Sequence, residues 1–132
     1  MKNVALVIGV LALSASASMA SAHTVDARKF FTTHRHLTVK TYGINDSEGG
    51  GSVEVVFDDI AGGVALTIDT QDDEASLDEI KQGPLPADEA SIVHHRKGHP
   101  YRPKAPKGCT VTREKPSDAL TLARVRKELN LK

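Results

Sequence analysis

Tryptophan is absent, and the 132 residues hold only three Phe, two Tyr and one Cys. Binding surfaces anchored on large aromatic side chains are therefore poorly supplied. A single thiol closes no disulfide within the chain, so Cys109 must be packed inside, paired with another chain, or reactive. Its place at the head of a Val/Thr run favours packing in a strand. Net charge is missing as well, since 17 Lys and Arg balance 17 Asp and Glu. With no overall basic field and few aromatics, nucleic acid is excluded as the expected partner. Long hydrophobic runs are lacking too: residues 4–13 make the clearest one, well short of the roughly 20 residues a membrane-crossing helix needs.

That short run has a context. Met1-Lys2-Asn3 supplies a positive charge, residues 4–13 are apolar with one Gly, and residues 14–22 are almost wholly small, ending in Ala20-Ser21-Ala22. The order and the A-x-A ending predict a cleavable secretory signal over residues 1–22, of bacterial dimensions. Cleavage would put His23 at the new N-terminus and leave residues 23–132 as one small soluble domain in the periplasm or the medium. No stable membrane insertion is expected after cleavage.

Charge balance hides segregation. Residues 46–89 carry thirteen Asp or Glu against Lys81 alone, a balance of −12, while residues 94–132 carry eleven Lys or Arg against Glu114, Asp118 and Glu128, a balance of +8. Either the two halves fold onto each other and cancel, or the basic half meets an anionic partner.

Periodicity predicts an α+β fold: a small antiparallel sheet of three to four strands with two or three short helices packed on it. Residues 34–42 alternate, with Leu37, Val39 and Thr41 on one side and His34, His36, Thr38 and Lys40 on the other, as a half-buried strand would. Residues 43–52, rich in Gly, Asn, Asp and Ser, read as a loop. Residues 53–60 and 64–70 flank Ala61-Gly62-Gly63 and predict a hairpin with Val53, Val55, Phe57, Val64, Leu66 and Ile68 inward. Asp73 caps a helix to about Gln82, stopped by Gly83-Pro84. A second helix is expected over residues 87–97, where acids precede Arg96, Lys97 and Gly98. Pro100, Pro103 and Pro106 recur every third residue in the basic segment 98–108 and exclude helix there in favour of an extended chain. Residues 109–114 read as a strand, and Ser117 as the cap of a last helix with Ala119, Leu122, Val125 and Leu129 on its apolar side.

The candidate chemistry is carried by histidines and by the proline segment. On a strand His34 and His36 would share a face, close enough for both rings to reach one ion. His95 and His99 have the i, i+4 spacing of helix ligands, and His23 at a new N-terminus would offer an amine beside its imidazole. Such nitrogen-rich donors in an oxidising compartment favour Cu, then Zn. Against this, Arg35, Arg96 and Lys97 interrupt the clusters, and neighbouring cations repel a bound cation. In the basic segment, a three-residue turn would align Tyr101, Lys104 and Lys107 along one edge, with Arg102 beside them, as a rod for an acidic protein or an anionic envelope polymer. A rigid linker with solubilising lysines is the simpler use of the same residues.

Other chemistry finds little support. Counted from Asp69, positions 6 and 12 of a calcium loop hold Glu74 and Ile80 where Gly and Glu are required. There is no G-x-S-x-G, H-E-x-x-H or phosphate-binding glycine loop. Cys109 with His99 and Lys107 nearby could form a thiolate nucleophile, yet packing explains that cysteine more simply. The expectation is a small exported binding protein that is not an enzyme, holding a metal through histidines or an acidic partner through its basic half.

Overall fold

The computed structural model describes residues 23–131, so the signal expected over residues 1–22 lies outside the described residues. In chain order the elements are β1 (Thr24–Val25), α1 (Ala27–Thr33), β2 (Thr38–Asp46), β3 (Gly51–Asp59), β4 (Val64–Thr70), α2 (Asp73–Gln82), β5 (Leu85–Pro86), β6 (Ala90–His94), β7 (Cys109–Arg113) and α3 (Leu122–Glu128). Five strands form one antiparallel sheet in the order β6-β4-β3-β2-β7, and β1 pairs with β5 apart from it. The fold is α+β.

Register explains the core. Val39, Phe57, Leu66 and Ile92 lie opposite one another across four strands, as do Thr41, Val55, Ile68 and Ala90. Side chains alternate along a strand, so both rows point to one face. There they meet Phe30 and Phe31 of α1, Leu77 and Ile80 of α2, and Val125 and Leu129 of the α3 region, all buried. Phe57 and Leu66 are fully buried, and each such side chain stabilises the fold by about 1.5–3 kcal/mol. The other face carries a smaller cluster of Tyr42, Val56 and Ala65, with Tyr101 and Val111 packed against it. Covered on both sides, β4 shows no in–out alternation: Val64, Ala65, Leu66, Thr67 and Ile68 are all buried.

The hairpin of β3 and β4 and the helix α2 are where periodicity puts them. Asp72, one residue before the expected cap, accepts from the Glu74 and Ala75 N–H groups. Elsewhere the expectations need correction. The strand expected over residues 34–42 begins only at Thr38 and runs on to Asp46, leaving residues 47–50 as a tight turn rather than a long loop. His34 instead closes α1, a helix capped by Asp26 whose Phe30 and Phe31 bury into the core. Residues 87–97 form no helix: Ala90–His94 is strand β6, because β-branched Ile92 and Val93 gain a pairing partner in β4. The last helix starts at Leu122 with Thr121 as its cap, and Ser117 accepts from the Leu120 N–H in the turn before it.

Candidate functional site: a basic cleft beside the strap

β6 and β7 occupy opposite edges of the sheet, about 19 Å apart at the usual strand spacing. Residues 95–108 make that crossing over the second face. Three prolines, which cannot donate to a helix or a ladder, keep the strap extended, and the middle one, Pro103, is buried.

One carboxylate holds the strap down. Asp58, at the end of β3, places Oδ1 2.7 Å from His95 Nε2, and its Oδ2 accepts the Tyr101 N–H at 2.7 Å. The side chains of His95 and Asp58 are only 10% and 5% exposed. His95 Nδ1 lies 3.1 Å from the Arg96 carbonyl. Backbone bonds from His95 N–H to Gly63 O (2.9 Å) and from Gly98 N–H to Ile60 O (2.8 Å) tie the same region to the β3–β4 turn.

Between the strap and the β6 edge lies an open cleft of about 630 Å³. Val93, Pro100 and the Tyr101 ring give it an apolar wall, with the His95 ring 5.8 Å from that of Tyr101. Arg96, Arg102 and Lys104 bring fixed positive charge, and His94 and His99 add imidazoles. Burial pushes the Tyr101 phenol above its ordinary range, and nearby Glu54 adds to this. Burial likewise raises the Glu54 carboxyl, with Asp69 as the second cause; the two are cross-strand partners.

The ion pairs are unevenly shared. Arg124 of α3 makes two bonds to Glu74 of α2, at 3.0 and 3.1 Å, and Lys81 meets Glu128 at 2.9 Å. Arg124–Glu74 joins the basic half to the acidic half, whereas in Lys81–Glu128 the one cation of the acidic half meets an acid of the basic half. Among the described residues, Arg96, Lys97, Arg102, Lys104 and Lys107 have no carboxylate within ion-pair distance.

Of the residues singled out from sequence, His95, His99, Tyr101, Arg102 and Lys104 come together in this cleft, while Lys107 lies further along the strap. Tyr101 faces the sheet, so it does not share an exposed edge with Lys104 and Lys107 as a strict three-residue turn predicts. His34 and His36 do not sit two apart on a strand, which removes the geometry expected to let them share an ion. The His34 ring packs 4.4 Å from Phe30 and its Nδ1 lies 2.8 Å from Asp59 Oδ2. The Gly62 N–H and then this histidine hold the Asp59 carboxyl below the ordinary range. His36 and His23 are exposed, and His99 follows a turn instead of lying one helical turn from His95. Among the described residues no three His, Cys, Asp or Glu side chains gather as a metal would require. Cys109 is half-buried in the edge strand β7. His94 and Arg96, which periodicity puts on a helix, and Asp58, which no local pattern links to a histidine 37 residues away, join the site only through the fold.

No protein-family model matches this chain, and neither a curated protein nor a solved structure shows significant similarity to it.

Proposed function

We propose that this is an exported, non-enzymatic binding protein whose strap receives an anionic partner, either an acidic protein segment or an anionic polymer of the cell envelope. The observation that carries the reading is the gathering of free cations: Arg96, Arg102 and Lys104 line one cleft, with Lys107 further along the strap, and among the described residues no carboxylate lies within ion-pair distance of any of them. Guanidinium groups bind carboxylate or phosphate through two parallel hydrogen bonds, and the apolar wall of Val93, Pro100 and Tyr101 can take the body of the same ligand. Export is part of the proposal and rests on residues 1–22: a charged start, a short apolar run and a small-residue ending.

Titration of the purified protein with polyglutamate and with a polyuronate tests it. Binding is expected at low salt and should weaken steeply toward physiological ionic strength, because exposed charges are screened over about 8–10 Å. The variant Arg102→Gln/Lys104→Gln should bind about tenfold more weakly or worse. No binding of either polymer at low salt, or equal binding by that variant, overturns the reading. The intact mass of protein recovered from outside the cell tests the export half, with His23 expected as the first residue.

A further inference from the structure

The two edges of the main sheet are protected to different degrees. Along β7, Arg113 and the neighbouring Lys107 carry charge, and the Arg102 guanidinium reaches the Val111 carbonyl at 3.5 Å. β6 reads Ala-Ser-Ile-Val-His, with no Pro, Lys or Arg inside it. Proteins usually guard an edge strand with such residues, because its unpaired backbone groups invite another strand.

The pairing of β6 with β4 fixes which groups are unpaired. Glu89 O accepts from Asp69 N–H and His95 N–H donates to Gly63 O, so the odd-numbered residues turn their backbone groups toward β4. Ala90, Ile92 and His94 therefore turn theirs outward. β1 runs close to β6, but no backbone hydrogen bond joins the two among the described residues. Ile92 is the middle residue of β6 and, at 40% exposure, the exposed large apolar side chain among the described residues.

Charge divides across the same strand. The turn before it carries Asp88 and Glu89, and His94, His95 and Arg96 end it. Carboxyls crowd the acidic end: burial and then Asp88 raise Asp69, and Glu79 raises Glu89 through a shared hydrogen bond. A basic partner there would relieve that repulsion.

We propose that two copies of this chain pair antiparallel through β6, about a twofold axis at Ile92. In that register Ile92 stacks on Ile92 of the second copy, and Ala90 exchanges backbone hydrogen bonds with His94. Asp88 and Glu89 of each copy then fall opposite Arg96 and His95 of the other. An isologous contact of this kind closes on itself, so it stops at a dimer. Pairing within the plane of the sheet keeps equivalent faces on the same side. Both straps then line one surface, with Arg102, Lys104 and Lys107 of each left free. The dimer does not depend on the anionic partner proposed above, but it would give such a polymer two basic straps to span.

Sedimentation velocity on the purified protein, over a hundredfold range of concentration and without any polymer, tests the pairing. A concentration-dependent monomer–dimer equilibrium is expected. Ile92→Lys, which sets two like charges on the axis at an already exposed position, should leave only monomer with an unchanged circular dichroism spectrum. Asp88→Arg and Arg96→Asp should each weaken the dimer about tenfold, and the double variant Asp88→Arg/Arg96→Asp should restore it. A parent that stays monomeric throughout overturns the proposal, as does a dimer indifferent to Ile92→Lys or a charge-swapped pair that fails to recover.

Discussion

Oδ1 of Asp58 and Nε2 of His95 meet at 2.7 Å across a gap of 37 residues in sequence. The other oxygen of the same carboxylate takes the Tyr101 N–H. A single side chain on β3 thus fixes both the start of the strap and the residue whose ring seals the second face of the sheet.

Removing that carboxylate should be costly. Asp58→Ala strands His95 and the Tyr101 N–H in a nearly dry site and is expected to lower stability by about 3 kcal/mol. Asp58→Asn should lose less, since its amide oxygen still accepts from Tyr101. Urea unfolding followed by circular dichroism measures both. Equal midpoints for parent and Asp58→Ala would show that the clasp contributes nothing.

Gly63 is tied to the same region. Its φ is +69°, and a Cβ there would come within 2.6 Å of the His95 carbonyl oxygen. Gly63→Ala therefore adds a backbone clash to the left-handed strain and should cost about 2–3 kcal/mol. Gly49 has φ +88° with nothing within 4 Å of the added atom, so Gly49→Ala should cost only about 1 kcal/mol. Thermal melts of the two variants side by side separate clash from strain.

Glu54 gives a pH-dependent effect whose sign follows from its burial. Burial, then Asp69, raises its carboxyl, so the folded protein favours the neutral acid. Its contribution is intact below the ordinary carboxylate range and is lost as pH rises through the raised value. Glu54→Gln, which stays neutral, should melt above the parent near neutrality. By about pH 3, where both proteins carry an uncharged group, the difference should vanish. A variant that melts below the parent at neutral pH contradicts this.

The attachment of the last helix distinguishes charge from burial. Glu74 is 63% exposed in its pair with Arg124, so Glu74→Gln should cost less than about 1 kcal/mol even at low salt. Leu129 is fully buried, and Leu129→Ala should cost about 2–5 kcal/mol. Chemical denaturation of the two variants ranks them. A reversed order would mean that ion pairs dock the helix.

Much of the site was visible as residue types but not as an arrangement. His95, His99, Tyr101, Arg102 and Lys104 stood out by chemistry, yet the cleft that gathers them depends on β6 being a strand. The acids before Ile92 and the bases after it satisfy a helix dipole as well as they flank a strand, and only the pairing with β4 decides between them. His34 misled in the same way. Alternation from Leu37 onward extends backward by pattern alone, while the Asp26 cap and the burial of Phe30 and Phe31 claim that segment for α1.

Local composition by itself determined the β3–β4 hairpin, α2 and the extended proline segment. Each rests on forces acting within a few residues: alternation around Gly62-Gly63, an aspartate at a helix start, and pyrrolidine rings that bar helix. Only the tertiary structure decided that the proline segment crosses the sheet, that Asp58 pins it, and which cations are left without partners. Those outcomes depend on contacts between residues far apart in the chain, whose energies exist only once the strands have found their order.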